Sequence, residues 1–279
     1  MQLGVTMFAT DRAMHIADLA RAVEERGLRS LYVPEHTHIP TSRETPPPTG
    51  DPELPEEYLR TLDPFVALTA AAAATTRLRV GTGICLVAER DPIVTAKEVA
   101  TLDFLSGGRF VFGVGFGWNR EEMAQHGVEY RRRRAFVREK VLVMQALWRD
   151  DEASFRGEYV HLEPSWAWPK PATRPRPPVL IGGAAGPKLF GHVVEYADGW
   201  IPIGGAGLTK ALPELHRVAE AAGRDPATLQ VVPFGTIPDR GKLDHYASLG
   251  ITEVVLQLPS GPAEKVLPVL DGYASFVLP

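Results

Sequence analysis

Leu102-Asp103-Phe104-Leu105-Ser106-Gly107-Gly108-Arg109-Phe110-Val111-Phe112-Gly113-Val114-Gly115-Phe116-Gly117-Trp118-Asn119 reads as a helix end, a glycine turn, a short buried strand, a glycine-rich loop and a new helix. Phe110 to Val114 is an apolar run of strand length, bounded by glycines. Asn119 is placed to cap the following helix, and Glu122, three residues on, completes a capping box. Gly113, Gly115 and Gly117 leave the backbone bare where it leaves the strand, so a flat or anionic ligand can approach it closely. On its own the same spacing also makes an ordinary strand-to-helix turn.

Outward from this stretch, short apolar runs alternate with helical patterns. Upstream lie strand-like runs at Leu3 to Met7, Leu31 to Val33 and Leu78 to Ile84. The segment 11–26 between the first two carries Ile16, Leu19, Ala20 and Val23 on one helical face and stops at Gly27. Asp63-Pro64 and Pro92 open two further helices. Downstream, a helix from about Arg131 to Arg149 places Val137, Val141, Met144 and Trp148 on one face. The strand pattern resumes at Val179 to Ile181, Gly199 to Ile203, Leu229 to Phe234 and Glu253 to Leu258, each run followed by a helix. Two insertions break the rhythm: an irregular, proline-rich loop at 39–60, and a hairpin with a proline-rich connector at 153–178. Eight strand–helix units in 279 residues predict an α/β fold, a single closed (β/α)8 TIM barrel domain spanning 1–279. An open doubly wound sheet is the alternative.

Composition narrows the function. Apolar residues make up 44% and charged residues 23%, which supplies a sizeable core. A net charge of −4 gives no general basis for nucleic-acid binding. Cys85 is the sole cysteine, so neither a disulfide within the chain nor a cysteine zinc site can form, and no metal centre is expected. No basic-then-apolar leader and no run of about 18 apolar residues is present, so a cytoplasmic protein without a membrane span is expected.

In a barrel the loops after the strands carry the chemistry. They gather Glu35-His36, Gly83-Ile84, Gly115 to Asn119, Gly182 to Gly186 and Gly204-Gly205. Trp118 stands where a dinucleotide fingerprint needs its third glycine, and no P-loop, His-Glu-x-x-His or Gly-x-Ser-x-Gly motif is present. His36 is the acid/base candidate, since an imidazole titrates near neutral pH, and Glu35 is a candidate to orient it. Gly182 to Gly186 before Pro187 offers free amides for a phosphate, or else a tight turn. The run Arg131-Arg132-Arg133-Arg134 is either a charged helix start or a grip on an anionic cofactor tail. Trp118 is a ring wall or a core residue.

These residues resemble the bacterial luciferase-like monooxygenase family, and within it the branch that uses the deazaflavin coenzyme F420. The resemblance rests on Val33-Pro34-Glu35-His36, Gly81-Thr82-Gly83-Ile84, Asp91-Pro92, Ala96-Lys97-Glu98, Leu102-Asp103, Ser106 to Arg109 and Gly113 to Trp118. Gly157-Glu158-Tyr159, Val179 to Gly183 and Ala197-Asp198-Gly199-Trp200 extend it along nearly the whole chain. It implies a (β/α)8 barrel, usually a homodimer, and an oxidoreductase acting on a small-molecule substrate. It further implies a cis peptide at Gly83–Ile84 supporting the ring, and Gly115, Phe116, Gly117 and Trp118 beside the ring or its side chain. Gly182 and Gly183 would hold the cofactor phosphate, with His36 next to the reactive centre. Three departures stand out: Glu35 replaces the usual Asp, Trp118 replaces the acid of the sugar-phosphate dehydrogenases, and much of the insertion before the last strands is missing. They argue against a sugar phosphate and for a more open pocket covered by the 39–60 loop. The reading is hydride transfer between the deazaflavin C5 and a small, apolar organic substrate. An FMN-dependent monooxygenase on the same barrel and a non-catalytic flavin-binding barrel are the rivals.

Overall fold

Strands and helices alternate through the computed structural model, which describes residues 1–47, 50 and 53–277. The strands are β1 (Gln2–Thr6), β2 (Ser30–Val33), β3 (Arg79–Thr82), β4 (Phe110–Val114), β5 (Ala153–Arg156) and β6 (His161–Ser165), then β7 (Val179–Gly182), β8 (Gly199–Ile201), β9 (Gln230–Val231), β10 (Phe234–Thr236) and β11 (Glu253–Gln257). The helices are α1 (Ile16–Glu25), α2 (Pro64–Ala73), α3 (Pro92–Ser106), α4 (Arg120–Gln125), α5 (Arg133–Arg149), α6 (Pro187–Tyr196), α7 (Leu208–Ala221), α8 (Arg240–Ser248) and α9 (Ala263–Ala274). Local chemistry sets the boundaries. Asp63 caps α2 by accepting the Val66 N–H, and Asp91 caps α3 by accepting those of Ile93 and Val94; in each case a proline follows at the first helical position. Helix α3 ends at Gly107, which is left-handed at φ 68°.

All strands except β5 and β6 form one parallel sheet in the order β10-β11-β1-β2-β3-β4-β7-β8-β9. The two ends of that order are neighbours in the chain, separated only by Val232 and Pro233. Phe234 donates its N–H to Pro202 O on one side, and Pro233 O accepts the Val255 N–H on the other, each at 2.9 Å. The sheet therefore curls until both ends meet the 230–236 segment. The sequence suggested one unbroken strand there; the structure has two, because Pro233 has no N–H to give the ladder.

Both faces of the sheet are covered, and β4 is buried along its whole length. Phe110 and Phe112 point outward among Phe65 and Trp148. Val111 points inward with Tyr32, Leu180, Ile201, Phe234 and Val255. The N-terminal ends of the strands are tied by polar bonds. Glu24 accepts the N–H groups of Thr76, Arg77 and Leu78. Arg109 donates to the carbonyls of Ala72, Leu78 and Ser106. Inside the curl, Glu253 accepts from Ser30 Oγ at 2.5 Å and Arg79 at 3.2 Å.

Strands β5 and β6 form the expected hairpin, fixed to α5 by Glu139, whose carboxylate accepts the N–H groups of Glu158, Tyr159 and Val160. In the 39–60 loop, residues Glu56–Leu59 form a 3-10 turn and Thr45 bonds Glu121 through its N–H and hydroxyl. Two of its prolines, Pro48 and Pro52, lie outside the described residues. Among the described residues no helix is long and apolar enough to cross a membrane.

Candidate active site

A cavity of about 440 Å³ opens where the strands end. Ten of the residues singled out from the sequence line it: Glu35 and His36 after β2, Gly83 and Ile84 after β3, Gly115 to Trp118 after β4, and Gly182 and Gly183 at the end of β7; Asn119, Gly186, Gly204 and Gly205 are not among the lining residues. The remaining wall is mostly apolar, with Phe8, Tyr58, Leu86, Ile203 and Phe234. The peptide bond between Gly83 and Ile84 is cis, as the resemblance implied.

His36 is held by buried partners. Its Nδ1 lies 2.7 Å from Glu122 Oε2, and the two side chains are only 6% and 1% exposed. The Trp118 indole N–H donates to His36 Nε2 at 3.3 Å. An indole nitrogen can only donate, so Nε2 accepts and the ring proton sits on Nδ1, pointing at the carboxylate. The imidazole is thereby oriented as a base whose accepting lone pair is on Nε2, where the Trp118 N–H meets it. Tyr58 and Trp118 frame the ring, with centroids 5.5 and 5.7 Å away. Trp118 is both wall and hydrogen-bond donor.

The orienting carboxylate is therefore Glu122 and not Glu35. Glu35 points the other way: Oε2 accepts the Leu86 N–H at 2.7 Å and Oε1 pairs with Arg90 at 2.5 Å. Arg90 also pairs with Asp63 and Glu98, so Glu35 ties the loop after β2 to the starts of α2 and α3. The longer side chain reaches past His36 into this ion-pair network, which satisfies both its oxygens. Asn119 caps α4 through the N–H groups of Glu121 and Glu122 as expected. The other half of the capping box gives way to His36, which takes the Glu122 carboxylate. His38 lies outside the cavity, with Nε2 against Gln125 Oε1.

Glycines crowd this site for packing as well as for access. A Cβ on Gly115 would fall 2.4 Å from Ile84 Cδ1, and one on Gly182 would fall 2.9 Å from Ile84 Cγ2. The Ile84 side chain fits only because both flanking residues lack a side chain. Close to Gly117 lies Glu89, whose side chain is 1% exposed and whose two oxygens have no hydrogen-bond partner among the described residues. Burial, together with the nearby Glu122 and Glu35 charges, pushes its pKa up to about 9, so it is a neutral acid at pH 7.

Two members of the arginine run, Arg133 and Arg134, reach the cavity at the start of α5. Arg133 stacks on Tyr130 with its guanidinium carbon 3.7 Å from the ring centre, and Arg134 lies 4.5 Å over Phe116. Sequence reasoning left the run open between a charged helix start and a grip on an anionic cofactor tail, because a run of arginines gives no sign of which members turn inward.

A curled parallel sheet with a histidine-bearing cavity at its strand ends defines an α/β enzyme of the kind that works through its strand-to-helix loops. The profile of the luciferase-like monooxygenase family matches residues 2–237. The chain belongs to that family and is an oxidoreductase. An uncharacterised protein of Mycobacterium tuberculosis is 44% identical over 278 residues, 99% of this chain and 98% of that one. The F420-dependent glucose-6-phosphate dehydrogenase of Kineococcus radiotolerans is 31% identical over 221 residues, 75% of this chain and 59% of that protein. Among solved structures, a monooxygenase from Streptomyces bottropensis superposes with a TM-score of 0.80 at 20% identity, covering 100% of this chain and 99% of its own. An F420-dependent secondary alcohol dehydrogenase in complex with an F420–acetone adduct gives 0.77 at 18% identity, covering 99% and 98%. At these identities the two structures speak to the fold.

Proposed function

We propose that this chain is an F420-dependent oxidoreductase that transfers a hydride between the deazaflavin C5 and a small, apolar organic substrate. The observation that carries the reading is His36, fixed by buried Glu122 and presenting Nε2 within a largely apolar cavity. Apolar walls with two arginines among the lining residues suit a flat ring that bears an anionic side chain, and the relatives named as F420-dependent support the choice of cofactor. When bound, F420 supplies the hydride chemistry. The chain's own part is to orient and to move a proton. Glu122 keeps the Nδ1 proton in place, and Nε2 takes the hydroxyl proton of an alcohol or returns one to a carbonyl oxygen. A substrate oxygen reaching Nε2 competes with the Trp118 N–H, so Trp118 selects which oxygens approach. Among the described residues the cavity lining offers no Lys or Arg beyond Arg133 and Arg134 to hold a sugar phosphate at His36, which supports an apolar substrate.

Titrating the purified protein with F420 and with FMN, following cofactor fluorescence, tests the reading. F420 binding with turnover of simple secondary alcohols or ketones is expected. Tight FMN binding without F420 binding overturns it in favour of a flavin monooxygenase. Bound F420 with no turnover across the panel favours a cofactor-binding barrel. The same reading takes the curled sheet as a full (β/α)8 barrel in one domain, and the chain as a cytoplasmic homodimer. Exposed Val66 on α2 and Ile93 and Val94 on α3 support the second copy, since apolar side chains grouped on one face favour association. Light scattering on the purified protein measures the copy number.

A further inference from the structure

The arginines at the cavity have a peculiarity that the proton chemistry of His36 does not use. Arg133 and Arg134, like Arg109 and Arg224, form no ion pair among the described residues, but Arg109 and Arg224 each bond several backbone carbonyls instead. Arg133 Nε and Arg134 Nη1 are buried and have no hydrogen-bond partner among the described residues. Aromatic faces, not acids, hold them: Tyr130 carries Arg133 on it, with Arg120 also within 4.9 Å of its centre, and Phe116 carries Arg134. Phe116 in turn touches His192 of α6, with centroids 5.2 Å apart, so Arg134 lies alongside the helix that begins just after Gly182–Gly186. Burial lowers the Arg133 pKa and the neighbouring Arg134 and Arg120 charges push the same way, while Tyr130 works against them. In a chain of net charge −4 this concentration of unpaired cations sits on the wall of the ligand cavity.

We propose that Arg133 and Arg134, with Arg120 behind them, form an anion subsite that binds the carboxylate-bearing tail of the bound deazaflavin, beyond its phosphate. A guanidinium with free N–H groups, stacked on a ring, is pre-organised for bidentate capture of carboxylates. The subsite rests on the reading of the cavity as an F420 site, and it adds to it a preference for cofactors with an anionic arm.

The test measures dissociation constants by fluorescence quenching for wild-type protein and the double variant Arg133→Gln/Arg134→Gln. Three ligands are compared: F420 with a short and with a long oligoglutamate tail, and the deazaflavin alcohol that lacks phosphate and tail. In wild-type protein the tailed forms bind more tightly, and that advantage shrinks as salt rises. In the variant, affinity for tailed F420 falls roughly tenfold or more, while the bare alcohol binds as before. Equal loss for the bare alcohol, or no loss for tailed F420, overturns the subsite. Unchanged cofactor affinity with a raised KM for an anionic substrate also overturns it, assigning the arginines to the substrate instead. If no deazaflavin binds wild-type protein, the cofactor reading has failed. The variant's affinities for FMN and riboflavin then decide whether the arginines bind an anionic arm at all.

Discussion

His36 concentrates the chemistry at the residue scale because each ring nitrogen has a different buried partner. His36→Ala should bind F420 with near wild-type affinity and lose roughly 10²–10⁴-fold in kcat, the usual worth of a positioned acid/base. An unchanged kcat would remove the residue from the mechanism. Glu122→Gln keeps the shape but replaces the acceptor of the Nδ1 proton by an amide that donates as well. Its kcat for alcohol oxidation should fall by roughly 10–100-fold with little change in KM, and the acidic limb of the pH–rate profile should move, which simple loss of packing would not cause. Both experiments need only stopped-flow or steady-state absorbance of the cofactor. Ten cavity-lining residues were legible in the sequence, since glycine-rich loops at strand ends can converge only on one end of a curled sheet. Glu122 was not, because the capping-box pattern gives it a local partner. Its real partner is 86 residues away, a contact that only the fold creates. The same blindness made Glu35 the obvious companion of His36: adjacency in sequence says nothing about which way a side chain turns.

At the scale of elements, Arg90 joins both ends of the connection between β2 and α2 to helix α3. It pairs with Glu35, Asp63 and Glu98 and lies 4.8 Å over the Phe65 ring, while the Glu35 side chain is 1% exposed. Arg90→Met leaves that carboxylate buried without its counter-charge and should cost about 3–5 kcal/mol in chemical denaturation. Adding Glu35→Gln, which can still accept the Leu86 N–H, should restore part of the loss; a double variant no better than the single one would show that Arg90 acts through packing alone. The alternation of elements was readable from periodicity, because strands buried on both faces appear as apolar runs and helices as stripes. The break between β9 and β10 was less so. Pro233 marks it, yet a proline within a run equally signals an edge strand, and only the bonds from Pro202 and Val255 show the segment engaged from both sides.

For the whole molecule, Glu89 links the site to stability. The folded chain keeps the Glu89 proton until about pH 9, whereas an ordinary glutamate releases it near 4.5. Between those values the folded state binds more protons than the unfolded one. Stability from this group is thus complete below pH 4.5 and is lost as pH rises toward 9. Glu89→Gln is neutral throughout. Its Tm should match wild type near pH 4 and exceed it by a growing margin toward pH 9, as read by scanning calorimetry. A constant difference across that range would mean that Glu89 is not held as the neutral acid.

The polar ties of Glu24, Arg109 and Glu253 all lie at the end of the sheet opposite His36. Apart from the Glu35–Arg90 pair, these fasteners are thus housed away from the chemistry. An engineer could vary the loop residues around His36 and Glu122 to accept new substrates while leaving the fasteners of the far pole in place. Natural variation within the scaffold has the same freedom: one pole can drift toward new reactions because the other keeps the chain folded.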